Sequence, residues 1–344
     1  MEHKQGIFFS MSDEEYHSVP ALSNSGIKWL LVSPTDFWAR SWMNPGHVDE
    51  DTDAMIIGRA YHTRILEGKA KFDSLYAPAL HKDDFPKALV TVDDIKNALK
   101  ERKLTVSGNK PVLIERLLAD SPDLEIWDHI LAYHAREHED RTLLSKTTFM
   151  ELELAAAMIE RHSVLSKCFT GGYPEVSIFW NDPVTNTPMK SRIDYLKAAA
   201  TIDLKSFANM NAKPIDRAII YDIASRKYYL QKAVYDEAVD HAKGFCRDGL
   251  IYGDIPPREW LNAFIGTNDR KFVFVFQQKG IAPVARAKVM PHLLVNDIAK
   301  IAMRTAIDLF CQCREKYGDD IWLDLEGLGE LHDDDFPSYM TMDV

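Results

Sequence analysis

Two neighbouring segments of the sequence carry two acids and a lysine in a pattern typical of adjacent β-strands. The first contains Arg192-Ile193-Asp194, and the second contains Asp203-Leu204-Lys205. Their alternation predicts strands over 189–196 and 200–206, and it points Asp203 and Lys205 to the same side of the second strand. Hard divalent cations prefer carboxylate oxygens, and hydrolysis beside such a cation benefits from a positive charge near the attacking water. The pattern therefore indicates a metal-dependent hydrolytic site, although a solvated ion pair at a strand edge would produce the same triplet.

Length and composition are those of an ordinary globular protein. The chain has 344 residues, of which 46% are hydrophobic and 27% are charged. This length accommodates one large α/β domain or two small ones. No apolar run approaches the roughly 20 residues that span a bilayer, and the first residues lack a secretory core. We therefore expect a cytoplasmic protein with no membrane association.

Cysteine spacing and net charge narrow the classes of function. The four cysteines match no zinc, disulfide or iron–sulfur framework; they are Cys168, Cys246, Cys311 and Cys313. The net charge is −11, with acidic residues concentrated in 320–335. That segment is expected to be a solvated acidic tail rather than a partner site. The acidity weighs against non-specific coating of DNA but is compatible with a local basic groove.

The order of predicted elements indicates an α/β fold. Helices are predicted over 23–42, with Ser23 or Asn24 as N-cap and Pro34 interrupting, and over 56–66, 127–162, 228–245 and 292–317. Strands are predicted over 175–180, 189–196, 200–206, 271–276 and 283–289. This order predicts a mixed central β-sheet flanked by helices.

Residues 88–119 have a different character and predict a small helical hairpin. Thr91 can cap a helix over 92–102, and Pro111 opens a second helix through Leu118 after a turn at 107–110. The apolar positions alone would account for a hairpin that binds nothing.

The same residues resemble a SAP motif, a small helical DNA-binding unit. The resemblance is carried by 92–96, Leu99, Arg102, Leu104, 107–110 and 113–117, with Lys103 as a departure where the motif commonly has glycine. It implies that basic side chains contact DNA phosphates without reading sequence. These are Lys96, Lys100, Arg102, Lys103 and Lys110.

Four further features bear on the acids and the lysine. They are His62 within 58–67, Glu175 on the preceding strand, Gln231 with Tyr235 on one helical face, and Ser23 and Ser25 at a helix start that can hold a phosphate. Each alone has a simpler explanation: a packed histidine, an exposed strand acid, a packing pair or a helix cap.

Taken in order, these features resemble the RecE-like (exonuclease VIII) family in the RecB-like branch of the PD-(D/E)xK nucleases. The resemblance runs from about Tyr16 to Val289 and is strongest at 57–62, 65–67, 175–180, 182–183, 192–194, 202–205, 229–231 and Tyr235. The core acids and the lysine show no departure. We expect 1–86 to be the N-terminal part of the nuclease domain, 87–121 a SAP-like insertion, and 122–344 the nuclease core with its acidic tail.

The resemblance implies a Mg²⁺-dependent exonuclease, with Mn²⁺ able to substitute, that degrades linear duplex DNA from the 5′ end and leaves 3′ single strands for recombination. It implies metal ligation by His62, Asp194, Asp203 and the Leu204 carbonyl, with Glu175 near a second metal or its water. Lys205 would orient and help deprotonate the attacking water and stabilise the charge of the phosphorane. Gln231 would hydrogen-bond near that water, with Tyr235 supporting the helix. Arg59, Ser23 and Ser25 would contact DNA.

The resemblance also implies a homo-oligomeric ring, a single-strand-annealing protein as partner, and a bacterial or phage-infected cytoplasm. Two alternatives remain open. One is an endonuclease on the same fold, and the other is a non-catalytic DNA-binding module that uses the SAP-like hairpin.

Overall fold

A seven-stranded mixed sheet organises the computed structural model, which describes residues 3–48, 51–209, 212–280, 282–291 and 294–323 with Glu330, His332 and Asp335. Its strands are β1 (Gly6–Phe9), β4 (Gly172–Asn181), β5 (Pro188–Lys197), β6 (Ala200–Phe207), β7 (Ile251–Gly253), β8 (Lys271–Gln278) and β9 (Ala285–Val289). The order across the sheet is β7-β1-β4-β5-β6-β8-β9. Strands β2 (Tyr76–Pro78) and β3 (Thr142–Leu144) form a separate parallel pair.

Helices cover both faces of the sheet, as the sequence predicts. The α-helices are α1 (Asp13–Ser18), α2 (Asn24–Leu30), α3 (Pro34–Arg40), α4 (Asp53–His62), α5 (Lys69–Leu75), α6 (Val92–Glu101), α7 (Lys110–Asp120), α8 (Trp127–Glu137), α9 (Lys146–Arg161), α10 (Ile215–Ser225), α11 (Tyr228–Asp248), α12 (Arg258–Gly266) and α13 (Leu294–Tyr317). A π-helix spans Thr63–Glu67, and 3-10 helices span Lys82–Asp84 and Leu165–Phe169.

Alternation along the central strands supplies two apolar cores. Phe207 of β6 and Phe274 of β8 pack on one face, against α2, α10, α11 and α13. Leu204 of β6 and Val275 of β8 pack on the other face, against α4, the π-helix and α9. Period-two alternation thus buries both faces of these strands. The charged residues of β6 consequently lie in a strand that is covered on both sides.

Local chemistry explains most element boundaries and corrects two predictions. Ser23 caps α2 through the Gly26 N–H, as predicted. Pro34 does not merely interrupt one helix; it opens α3 behind the Ser33 cap. The single helix predicted over 127–162 is wrong, because the chain forms α8, then β3, then α9 with Ser145 as its cap.

The predicted hairpin is present, with a small apolar core of its own. Its helices are α6, capped by Thr91, and α7, capped by Asn109. The core includes Leu99, Leu113 and Ile126. Leu89 and Ile126 are joined by an isolated β-bridge that brings the two ends of the unit together. The division of the chain into domains stays a prediction.

Two predictions concern features outside the sheet. Among the described residues, no helix is long and apolar enough to cross a bilayer. The predicted acidic tail lies largely outside the described residues, including Asp333 and Asp334.

Candidate active site

Strands β5 and β6 separate at the two acids Asp194 and Asp203. The strands pair only at Tyr195–Ile202 and Leu196–Thr201. Continuing this register would place Asp194 opposite Asp203, but the Asp194 carboxylate instead accepts the Leu204 N–H, with Oδ2 2.7 Å from the nitrogen. A side chain thereby satisfies a backbone donor that strand pairing leaves free. The separation makes room for charged side chains between the two strands.

Glu175 of β4 lies opposite Asp194 of β5 and has a strained backbone conformation. The β4–β5 register pairs Pro174 with Tyr195 and Val176 with Ile193, which sets Glu175 against Asp194. Glu175 has φ 50°, a left-handed conformation that is rare for a residue with a side chain. Such strain is most often retained where a side chain must be aimed at a site.

Arg192 holds Glu175 in place. Its Nε lies 2.8 Å from Glu175 Oε2, and its Nη2 donates to the Met11 carbonyl at 2.8 Å. Tyr235 Oη in turn donates to the Arg192 carbonyl at 2.6 Å. This hydrogen bond ties helix α11 to β5, and the supporting role of Tyr235 stays a prediction.

His62 approaches the acids from α4. Its Nδ1 lies 3.8 Å from both Glu175 Oε1 and Asp194 Oδ2. The π-helix that follows is closed by a hydrogen bond from Gly68 N–H to the Thr63 carbonyl, and π-turns frequently accompany functional sites. Within it, buried Arg64 pairs with Glu153 and Glu160 of α9. These two ion pairs join the π-helix, which follows His62, to α9.

Asp203 is the most enclosed of the acids. Its side chain is 0% exposed, and Lys205 Nζ lies 2.5 Å from Oδ1. Gln231 of α11 donates to Oδ2. The Tyr228 ring, one turn before Gln231 on the same helix, lies 5.1 Å from Lys205 Nζ and 5.2 Å from Lys28 Nζ. Helices α2 and α11 thus form an aromatic and cationic wall beside the Asp203–Lys205 pair.

The charges of this cluster shift one another's pKa. Burial, together with repulsion from Asp194, raises the pKa of Asp203 to about 7. Burial also raises the pKa of Asp194. Burial lowers the pKa of Lys205, but attraction to Asp203 and Asp194 outweighs it and raises that pKa well above the usual range. Lys205 is therefore a fixed cation at neutral pH.

Two other cations respond to the same field in opposite directions. Desolvation of His62 lowers its pKa, but the Asp194 and Glu175 carboxylates outweigh that effect and raise it to about 9. Lys28 has its pKa lowered to about 8, first by burial and then by repulsion from Lys205. Without a metal, charged His62 and Lys205 balance the buried carboxylates.

The donor set suits a hard divalent cation, but its side chains are arranged as ion pairs. Within the described ranges, no three His, Cys, Asp or Glu side chains converge tightly enough to enclose a metal. Asp203 Oδ1 is buried, and its partner among the described residues is the Lys205 ammonium, whose Nζ lies 2.5 Å away. Burial raises the pKa of Asp194 and Asp203, and a bound cation would favour their ionised forms. His62, Asp194, Asp203 and the Leu204 carbonyl are the residues that could hold it.

The predicted DNA contacts are placed less uniformly. Ser25 is exposed at the start of α2, whereas the Ser23 hydroxyl accepts the Gly26 N–H as a cap. Arg59 lies at the surface and is paired there with Asp51, to which its two Nη atoms donate at 2.7 Å and 2.5 Å. These placements neither assign nor remove a DNA contact, and the DNA-binding roles stay predictions.

In the hairpin, two of the five predicted phosphate contacts are already engaged within the chain. Lys110 Nζ donates to the Val90 carbonyl at 3.0 Å and to Asp128 at 2.7 Å. Arg102 donates to the Ala98 carbonyl and to Ser121. The other three cations lie on α6 and just beyond it; they are Lys96, Lys100 and Lys103.

Three residues of the site had no role assigned from sequence. Arg192 belongs to the Arg192-Ile193-Asp194 motif, but strand alternation alone does not predict which side chain it contacts. Tyr228 and Lys28 reach Lys205 only because α2 and α11 pack against the same face of the sheet. The two helices are far apart in the sequence, so no local spacing predicts that they meet. For Lys28, the only local indication is its position in the helix that begins after Ser23.

The central mixed sheet, the paired helices and this carboxylate–lysine cluster define a protein of the PD-(D/E)xK nuclease class. The family model described as "PDDEXK-like domain of unknown function (DUF3799)" matches residues 23–252. The chain belongs to this family. The match supports a nuclease, while the RecE-like and SAP-like assignments remain proposals.

Similarity to individual proteins is distant. No curated protein matches this sequence. A crystal structure described as that of a "putative exonuclease" from Eubacterium rectale is similar to this chain with 16% sequence identity and a TM-score of 0.49. The similarity covers 97% of this chain and 99% of that chain.

Proposed function

We propose that this nuclease is a Mg²⁺-dependent exonuclease that degrades linear duplex DNA from the 5′ end and leaves 3′ single-stranded tails for recombination. The proposal rests on one observation: His62, Glu175, Asp194, Asp203, Lys205 and Gln231 come from separate elements and meet where β5 and β6 part. Phosphodiester hydrolysis by divalent cations uses this combination of carboxylates and a cation. The direction of degradation is taken from the RecE-like resemblance.

Each residue has a task that its surroundings support. Asp194 and Asp203 would hold the metal with His62 and the Leu204 carbonyl, and Glu175, aimed by Arg192, would orient water beside it. Lys205 stays protonated, so its task is to position the attacking water and stabilise negative charge on the phosphate rather than to accept the proton. Gln231 fixes the Asp203 carboxylate from behind. Mg²⁺, or Mn²⁺ in its place, would supply Lewis acidity toward the phosphate and lower the pKa of bound water.

Duplex DNA must also be bound outside the candidate active site. We assign duplex binding to the SAP-like hairpin through Lys96, Lys100 and Lys103, because Arg102 and Lys110 already hold partners within the chain. A ring-shaped homo-oligomer around duplex ends and a single-strand-annealing partner follow from the same resemblance. Light scattering of the purified chain would measure the oligomer size directly.

The test uses one linear duplex, its covalently closed circular form and three proteins: the unmodified chain, Lys205→Ala and a control variant. The unmodified protein with Mg²⁺ should degrade the linear duplex and leave the circle intact, while Lys205→Ala should lose at least about a thousandfold in rate. Labelling each 5′ or each 3′ end separately identifies the strand that is consumed first.

Lys71→Ala, in an exposed lysine of α5, serves as the control and should retain full activity. Cleavage of the circle would establish the endonuclease instead. Absence of hydrolysis with both Mg²⁺ and Mn²⁺ would remove the enzymatic proposal and favour the DNA-binding module.

A further inference from the structure

A second cavity opens where β6 ends, next to the candidate active site. Its volume is about 230 Å³, and it begins at Phe207, two residues after Lys205. Because a strand rises about 3.3 Å per residue, the cavity starts roughly 7 Å along the strand from Lys205. Its far wall is α10, through Tyr221, Asp222 and Ser225. The cavity therefore lies at the end of β6, the strand that carries Lys205.

The junction of α10 and α11 lies between the cavity and the candidate active site. Helix α10 ends at Ser225, and α11 begins three residues later at Tyr228. The Tyr228 ring lies 5.1 Å from Lys205 Nζ. Arg226 between them donates from Nε to Asp222 Oδ1 at 2.8 Å. A strand whose phosphate lies at Lys205 would place a neighbouring nucleotide within reach of this cavity.

The lining combines an aromatic surface with a cation. Tyr221 is 53% exposed, and Lys213 Nζ lies over one face of its ring, 4.0 Å from the centroid, so a base would stack on the opposite face. Asn209 fixes the segment that carries Lys213 by a hydrogen bond from its Nδ2 to the Lys213 carbonyl at 2.7 Å. An exposed ring with an adjacent cation is the combination on which single-stranded nucleic acids stack their bases.

Asp222 adds a hydrogen-bond acceptor, because one of its two carboxylate oxygens has no partner among the described residues. Its Oδ2 is buried and has no partner among the described residues, while Oδ1 is taken by Arg226. A buried acceptor without a donor is unfavourable, so a ligand that brings an N–H group is favoured there. Carboxylates accept the exocyclic amino group of cytosine in this manner. Thymine, which carries a carbonyl oxygen at the corresponding position, would be repelled.

A larger cavity, about 380 Å³ on α11, does not offer the same chemistry. It is lined by acidic side chains, among them Glu237, Asp240 and Asp248. Such a surface repels a phosphate backbone.

We propose that the cavity between β6 and α10 is a nucleobase subsite, in which Tyr221 stacks on a base next to the scissile phosphate and Asp222 accepts its exocyclic amino group. The subsite rests on the proposed nuclease function, because it needs a DNA strand at Lys205. It gives this nuclease a preference for cytosine over thymine at that position.

Binding of short single-stranded homopolymers tests the subsite. Fluorescence anisotropy would compare oligodeoxycytidine with oligodeoxythymidine of equal length, with Ca²⁺ as cation and the oligonucleotide checked to be intact afterwards. The unmodified protein should bind the cytidine polymer about fivefold or more tightly. Tyr221→Ala should weaken both polymers by about tenfold, and Tyr221→Phe should retain the affinity. Asp222→Ala should remove the difference between the polymers.

Two controls separate the subsite from indirect effects. Tyr133→Ala removes a tyrosine that is 65% exposed on α8 and should change neither affinity. Arg226→Ala breaks the pair with Asp222 but leaves the carboxylate, so the cytidine preference should persist.

Equal affinity of the unmodified protein for both polymers would overturn the proposal. So would a preference that survives Asp222→Ala, or full affinity in Tyr221→Ala. Any of these results alongside normal hydrolysis of linear duplex would refute the subsite alone, whereas absence of hydrolysis by the unmodified protein would refute the nuclease function beneath it.

Discussion

Asp194 accepts the backbone N–H of Leu204 at 2.7 Å, across the gap where β5 and β6 stop pairing. The carboxylate thus has a structural task, because it satisfies a buried donor, and a proposed chemical one, because it faces His62 and Glu175. These two tasks respond differently to substitution. They can therefore be measured separately.

Asp194→Asn should keep the fold and lose metal binding. The amide oxygen still accepts the Leu204 N–H, but it carries no charge for the cation. Asp194→Ala should in addition lower the free energy of unfolding by about 1–3 kcal/mol, because a buried donor loses its partner. Urea denaturation measures the stability, and calorimetric titration with Mg²⁺ measures the binding. Equal stability of the two variants would contradict the structural task of Asp194.

Mg²⁺ should stabilise the protein more at about pH 8 than at about pH 6. The pKa of Asp203 is about 7 in the folded protein against 3.8 for an unperturbed aspartate, so its contribution to stability is present at low pH and is lost as pH rises through 7. A cation needs the ionised carboxylate, so one unit below this pKa its apparent affinity falls roughly tenfold. Release of the proton from His62, whose pKa is raised to about 9, adds to the same trend.

Thermal unfolding with and without Mg²⁺ at both pH values measures this linkage. Asp203→Asn should abolish the Mg²⁺-dependent rise in Tm at either pH. A rise of equal size at pH 6 and pH 8 in the unmodified protein would contradict the raised pKa.

Arg192→Ala should lower nuclease activity about ten- to a hundredfold without unfolding the protein. The guanidinium aims Glu175 and holds the loop before α1 through the Met11 and Ser12 carbonyls, and removal of such supporting hydrogen bonds typically has this effect. Lysine cannot make the same set of hydrogen bonds, so Arg192→Lys should recover only part of the activity.

Arg40→Ala is the matched control, because the exposed Arg40 side chain pairs with Asp36 four residues earlier on α3. It should change stability by less than about 1 kcal/mol and leave activity unchanged. Full activity in Arg192→Ala would show that Glu175 needs no such support.

Lys103→Gly should stabilise the hairpin by about 1 kcal/mol. Lys103 has φ 59° and occupies the position after α6 at which Leu104 N–H returns to the Leu99 carbonyl at 2.8 Å and Lys103 N–H to the Lys100 carbonyl at 2.9 Å. Glycine adopts this conformation without strain. Amide exchange within 89–126 should therefore slow in Lys103→Gly and not in Lys103→Ala. Equal exchange in the two variants would contradict this account.

The three hairpin lysines to which we assign duplex binding also allow a test of DNA delivery. Alanine at Lys96, Lys100 and Lys103 together should weaken duplex binding and reduce its salt dependence by roughly 0.9 in slope for each phosphate that the protein no longer neutralises. Alanine at Lys69, which pairs with Asp73 on α5, is the control and should leave the slope unchanged. An unaltered slope in the triple variant would refute duplex binding by the hairpin.

Sequence patterns predicted the parts of the fold whose signals are local. The strands at 189–196 and 200–206 appear with boundaries shifted by one residue at most, because period-two alternation and buried β-branched or aromatic residues act within a few positions. The hairpin caps Thr91 and Asn109 act within one turn of their own helices. The helix predicted over 127–162 failed at β3, where pairing with distant β2 overrides helical periodicity.

The sequence by itself determined that Asp194, Asp203 and Lys205 would lie on neighbouring strands of a mixed sheet flanked by helices. Only the tertiary structure decided that β5 and β6 part at these acids, that Arg192 turns back to Glu175, and that α4 and α11 bring His62 and Gln231 to them. These relationships join residues that lie far apart along the chain, and they depend on packing of whole elements on the sheet. Periodicity reports the face a residue occupies, whereas packing decides which other face it meets.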